Sequence, residues 1–234
     1  MYGYDYSYGY PANRMYYERG YGLDYGLKHI DGPSSEPLSL ADEKIHSRFN
    51  LGSPVDTEEQ TYIERLFIAS RRNVERSIFK PIGIQTFELS LPCFPYGYVL
   101  EFFNPPLIEV KYIRYMKQGE TVATTLHDLT ASPAIVSDIF ITETGCTPGK
   151  IFLRSSKGWP SDSLESGYPV KIGFSAGLDM SLDENEGVMQ LLRFAFAQYY
   201  ENREPVTDGR VNPPFVVPNT YDDLVGKEQH WEMR

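Results

Sequence analysis

Residues 184–204 read ENEGVMQLLRFAFAQYYENRE. Their apolar side chains fall at Val188, Leu191, Leu192, Ala195, Phe196 and Tyr199, the three-and-four spacing of a helix with one buried face. Asp183 is placed to cap the start, Glu184 and Glu186 suit the positive end of the helix dipole, and Pro205 ends the run after Asn202 and Arg203. A helix of about twenty residues is roughly 30 Å long. Its apolar stripe needs a partner, and the segment able to supply one lies far upstream. There Thr57 and Gln60 form a capping-box pattern that opens a helix running to about Phe79, with Ile63, Leu66, Phe67, Ser70, Val74 and Ile78 on its inner face. Arg65, Arg71, Arg72 and Arg76 alternate with Glu58, Glu64 and Glu75, which reads as a solvated, salt-bridged face rather than a phosphate-binding stripe. A shorter helix is expected from Ser39 to about Phe49, with Leu40, Ile45 and Phe49 as its apolar positions.

Between these helices the period switches to two. QTFELSL (85–91), YVLEFF (98–103), EVKYIRYM (109–116), ETVATTL (120–126), DIFITE (138–143), KIFLRS (150–155) and PVKIGFS (169–175) are short alternating or β-branched runs separated by Pro, Gly, Asn and Ser. They read as an antiparallel sandwich or rolled sheet inserted between two helices that belong together. The expected fold class is α+β. A packed α-helical bundle, made of an N-terminal helix pair and the long C-terminal helix, carries an inserted antiparallel β-sandwich-like region and extended N- and C-terminal arms. The expected boundaries are 1–37 for the N-terminal arm, 38–83 for the first helical part, 84–177 for the β-rich insertion, 178–204 for the C-terminal helix and 205–234 for the tail.

Both arms have a composition of their own. Nine of the 18 tyrosines fall in the first 25 residues, interleaved with glycine. Such a segment cannot build its own core, and Tyr2, Tyr4, Tyr6, Tyr8, Tyr10, Tyr16 and Tyr17 are candidates for contact with a neighbouring protein. Its start, MYGYDYSYGY, has no basic flank and no apolar run, so a signal peptide is not expected. The tail from Pro205 onward contains four prolines and shows no regular period, yet Phe215, Val216, Val217, Tyr221, Leu224, Val225 and Trp231 are too apolar for a solubility tag. Either it packs on its own domain or it is buried in another chain.

The chain has 22 basic and 32 acidic residues and a net charge of −10. That balance excludes a sequence-independent nucleic-acid binder, whose affinity comes from cations on phosphates. The only cysteines, Cys93 and Cys146, have no metal or redox spacing and point to a reducing, intracellular place of folding, with a pairing of the two thiols as the alternative. No apolar run is long enough to span a membrane. The four histidines are scattered, phosphate-loop and nucleophile-elbow motifs are absent, and Asp179, Asp183, Glu184 and Glu186 lack calcium-loop spacing. No catalytic residue, metal or cofactor is expected. Trp159, Tyr96, Tyr98, Tyr112, Tyr115 and Tyr168 leave one alternative open, a carbohydrate-binding β-domain of a tail or cell-surface protein.

In order and spacing, LSLADEKIHSRF (38–49), EEQTYIERLFIASRRNVERSI (58–78), GIQTFELSLPCFP (83–95), NPPLIEVKYIRYM (104–116), PGKIFL (148–153), GWP (158–160), PVKIGFSAG (169–177) and LLRFAFAQYYENRE (191–204) resemble the head-to-tail connector, or adaptor, proteins of tailed bacteriophages. The resemblance implies a non-enzymatic virion protein in the neck, between capsid portal and tail, that folds in the host cytoplasm. It implies a homo-oligomeric ring, dodecameric in that family, beneath the portal protein. Such a ring extends the channel for double-stranded DNA, which passes without sequence-specific binding, and offers the tail its attachment site. On that background the tail residues from Phe215 to Trp231 are the portal-binding candidates, and the tyrosines from Tyr2 to Tyr17 those for tail or nozzle proteins. An acidic chain suits a conduit whose wall must not grip phosphates.

Overall fold

The computed structural model describes residues 14–15, 23–40, 57–102, 106–145, 148–201 and 219–229, with the backbone alone at 14, 15, 23, 24, 219 and 220. The chain divides into two compact units. One comprises residues 1–34 and 84–178, the other 35–83 and 179–234.

The first unit is built from ten strands among the described residues. They are β1 (Arg14–Met15), β2 (Leu23–Asp24), β3 (Gly26–Asp31), β4 (Gln85–Leu91), β5 (Val99–Phe102), β6 (Leu107–Tyr115), β7 (Thr124–Asp128), β8 (Phe140–Glu143), β9 (Gly149–Leu153) and β10 (Val170–Ala176). A five-stranded sheet runs β3-β4-β10-β6-β7 and a three-stranded sheet runs β5-β9-β8; every pairing is antiparallel. β1 and β2 form a separate ribbon. All seven runs read from the alternation are strands. β3 is an eighth partner in the sheets, lying within the Tyr/Gly-rich segment: its Gly26–His29 stretch pairs with Phe87–Ser90 and brings that part of the chain to the sheet edge.

Alternation places Phe87, Leu89 and Leu91 of β4 and Val170, Ile172, Phe174 and Ala176 of β10 in one buried core. β6 reaches that core only by breaking the alternation. Ladder partners of β10 skip Lys111 and Ile108, so Leu107, Val110, Ile113 and Tyr115 all turn inward. Aromatic rings fill the interior: Phe174 lies 5.6 Å from Phe87 and 4.7 Å from Phe102, and Phe94 packs edge-on against Tyr115 at 5.3 Å. Two glycines are required by close approach. A Cβ on Gly149 would sit 2.1 Å from the Leu107 Cβ, and one on Gly173 would sit 2.2 Å from the Tyr112 ring.

The second unit holds three α-helices among the described residues: α1 (Thr57–Ile78), α2 (Glu186–Glu201) and α3 (Asn219–Glu228). In α1 the buried positions Ile63, Phe67, Ser70, Val74 and Ile78 follow the helical period, with Glu58 and Glu59 in the first turn. Phe79 takes a left-handed φ of 57°, its N–H donates to the Glu75 carbonyl, and Pro81 follows; the helix stops there. In α2 Val188, Leu191, Leu192, Ala195 and Phe196 are buried, while Tyr199 is half-buried. Phe196 meets Phe67 of α1 at 4.8 Å between ring centroids. Asp183 does not cap α2. It opens a 3₁₀ turn, Asp183–Asn185, preceded by Leu182 with no side-chain cap hydrogen bond.

The expectation of a packed helical bundle built on an N-terminal helix pair is corrected. The described helices are one long pair, α1 with α2, joined by the short α3, and a pair of antiparallel sheets of similar extent forms a unit of its own. The reason is physical: the strand runs close sixteen buried apolar side chains into a core of their own, so the β region is not an ornament on a bundle. The helix expected at 39–49 lies outside the described residues apart from Ser39 and Leu40, the latter helical. The tail reading is corrected too. All four prolines precede Asn219, and Pro218 stands just before α3, where a missing N–H leaves no gap in a helical ladder.

Candidate functional site

Among the described residues, the histidine and cysteine side chains that chemistry would draw on first are held in the structure, while His46 and His230 lie outside the described residues. Among the described residues no group of three or more His, Cys, Asp or Glu is disposed to hold a metal ion. His127 is buried, its Nδ1 accepting from the Ser137 N–H and its Nε2 facing the Val110 carbonyl at 3.2 Å. Cys93 is a half-buried free thiol whose pKa burial pushes up, away from the reactive thiolate; Cys146 lies outside the described residues. Of the rings named for a sugar platform, Trp159, Tyr112 and Tyr115 are engaged, while Tyr96, Tyr98 and Tyr168 are exposed. Trp159 stacks on Phe94 with 9° between planes and donates its indole N–H to the Gly97 carbonyl, and Tyr115 is in the core. Tyr96, 93% exposed, and Tyr98 flank that pinned Gly97.

The outer face of the five-stranded sheet is a polar lattice. Tyr112 lies across Gly173 to donate its hydroxyl to Glu88 at 2.7 Å, with the Arg114 guanidinium over its ring. Burial, with the Glu88 carboxylate, raises the Tyr112 phenol to about 12. Arg114 bonds Asp128, whose other oxygen accepts from the Thr130 N–H and hydroxyl; these donors, Thr130 first, hold the Asp128 carboxyl at about 2. On the three-stranded sheet Val99, Phe152 and Ile141 lie in one cross-strand row.

The helical unit contains a buried ion cluster. Arg71 forks onto Glu36 at 2.8 and 3.2 Å and reaches Glu75 at 3.0 Å, while the Glu75 carboxylate also accepts the Ile82 N–H. Arg71 and Glu75 were expected on a solvated face, and the structure buries both. The missed signal is Glu36, whose distance in sequence hides it.

α3 is the site element that the sequence pattern half reveals. Tyr221, Leu224, Val225 and Glu228 recur at the helical three-and-four spacing and form its half-buried side. The seat is shaped for it. A Cβ on Gly187 of α2 would meet Glu228 Oε1 at 2.6 Å, and Gln229 Nε2 donates to the Ser77 carbonyl of α1 at 2.9 Å. Burial raises the Tyr221 phenol beside Ser77 and Tyr199. Three of the portal-binding candidates, Tyr221, Leu224 and Val225, are thus brought together, facing their own unit. Phe215, Val216, Val217 and Trp231 lie outside the described residues, as do Tyr2, Tyr4, Tyr6, Tyr8, Tyr10, Tyr16 and Tyr17. No helix among the described residues is long and apolar enough to cross a membrane.

A helix pair and a unit of two antiparallel sheets make a fold that is shared with chains of solved GTA particles. The chain is similar to a chain in the neck of an empty GTA particle computed with C6 symmetry, with a TM-score of 0.66 and 19% identity over 89% of this chain and 97% of that one. It is similar also to a chain in the virion of a native gene transfer agent (GTA) particle, at TM-score 0.63 and 20% identity over the same shares. A third similarity is to a chain in the neck of a native GTA particle computed with C12 symmetry, at 0.58 and 17%, again over 89% and 97%. No protein-family model and no curated protein matches the sequence.

Proposed function

We propose that this chain is a structural, non-enzymatic protein of the neck of a tailed-phage-like particle. The observation that supports it is the shared fold, which extends over nearly the whole length of chains found in GTA necks. The symmetry named for those necks is that of rings, and the connector resemblance of residues 38–204 points the same way. On this reading copies of the chain form a ring under the portal, dodecameric in the resembling family. The ring lengthens the DNA channel and carries the tail. The acidic balance of −10 suits a wall that duplex DNA slides past without being held.

The arms take the partner contacts in this proposal. The tail from Pro205 supplies Phe215, Val216, Val217 and Trp231 to the portal. The tyrosines from Tyr2 to Tyr17 meet tail or nozzle subunits. Particles assembled without this chain are expected to stop as filled heads without tails and to accept tails once purified chain is added. Normal tailing in its absence would refute the proposal. Truncation after Glu204 is expected to abolish portal binding, and deletion of residues 2–26 to leave heads untailed.

A further inference from the structure

α3 is ten residues long. A helix that short does not hold its shape alone in water, so it exists where a seat orders it. The seat is defined by named contacts: the Glu228 side chain lies against Gly187, the Ser77 carbonyl takes Gln229, and Tyr199 stands beside Tyr221. The connection between α2 and α3 is much longer than this seating requires. Tyr221, two residues into α3, sits beside Tyr199, two residues before the end of α2. Yet residues 202–218 separate the two helices, and a chain of that length extends to about 60 Å.

We infer that the seat between α1 and α2 is a docking site for a second copy of this chain, with α3 of one copy filling the seat of the next. Every copy carries both the helix and its complement, so exchange conserves the contacts and changes little beyond connector entropy, which varies slowly with length. Where copies stand side by side, the local concentration of the neighbour's helix rivals that of the chain's own. The biological setting rests on the ring proposed above, but the exchange is a property of the chain alone. Within a ring it ties each subunit to its neighbour through a helix that a monomer keeps for itself.

Two variants test it. Gly187→Trp sets a ring against the last turn of α3 that is too large for a swing of the Glu228 carboxylate to relieve, and closes the seat while leaving α3 intact; Leu224→Asp with Val225→Asp spoils α3 and leaves the seat open. Each is checked for retained helix and cooperative unfolding by circular dichroism. An equimolar mixture at high concentration is expected to give a mixed dimer of twice the 26.8 kDa chain mass by native mass spectrometry, absent from either variant alone. A mixture that stays monomeric with both variants folded overturns the inference. Should either variant fail to fold, isotopically labelled and unlabelled unmodified chains are mixed and cross-linked. Lys227-to-Lys80 links joining the two labels are expected, and links within single copies only overturn it. A ring on the portal together with monomeric mixtures would leave the neck proposal standing and remove the exchange; mixed dimers without any ring would do the reverse.

Discussion

The β unit and the helical unit hold themselves together by different means. Most strands of the β unit come from one continuous stretch, 84–178, satisfy their backbones in antiparallel ladders and share sixteen buried apolar side chains. The helical unit is assembled from segments distant in sequence, 35–83 and 179–234. Its long-range order comes from side chains rather than backbone ladders: the buried faces of α1 and α2 with Phe67 on Phe196, Arg71 on Glu36, and the α3 face in its seat. The difference teaches where change is cheap. A ladder yields all at once, whereas a seated helix can leave and return, and the portal-facing tail proposed above belongs to the looser construction.

The comparison is broken most forcefully at the aromatic contact. Phe196→Ala removes a fully buried ring and is expected to cost about 3–5 kcal/mol, read as lost hydrogen-exchange protection in α1 and α2. An effect below about 1 kcal/mol would mean that the helical unit does not depend on this contact. Arg71→Met strands the buried Glu75 and the part-buried Glu36 without their cation, and a loss of about 3 kcal/mol is expected in denaturant unfolding; Arg71→Lys recovers only part, because the fork onto Glu36 is gone.

In the β unit Gly173→Ala drives a methyl group into the Tyr112 ring. It is expected to cost about 1–3 kcal/mol and to move the Tyr112 phenol from about 12 back toward 10 in a spectrophotometric titration. An unchanged phenol would show that the ring does not need the glycine. The smallest effect is electrostatic. The Asp128 carboxyl is depressed to about 2, so its stabilising contribution is present above the ordinary carboxylate range and fades as pH falls from about 4 to about 2. Asp128→Asn is expected to flatten that part of the melting-temperature profile, and a profile parallel to the unmodified chain's would assign the acid sensitivity elsewhere.

Legibility in sequence follows the same division. The strand runs and the inner faces of α1 and α2 are periodic over enough residues for burial to show in the pattern. β3 is hidden because GLKHID sits at the end of a Tyr/Gly-rich segment whose composition reads as an arm. α3 is hidden because its period spans only three turns after four prolines and includes Gly226. The burial of Arg71 and Glu75 is illegible for another reason: alternating charge along a helix ordinarily means solvent, and only the fold brings Glu36 to them. Of the candidate site, the apolar character of Tyr221, Leu224 and Val225 can be read from sequence, but the surface they face cannot, since a single apolar stripe fits its own unit and a partner equally well.

The neck reading is tested most directly by the mass and shape of the purified chain, alone and then mixed with the portal ring of its own particle, using light scattering on a sizing column followed by electron microscopy. A ring of many copies seated on the portal, with density continuing its channel, is the expected result. A chain that stays monomeric in both conditions and leaves the portal bare would contradict it.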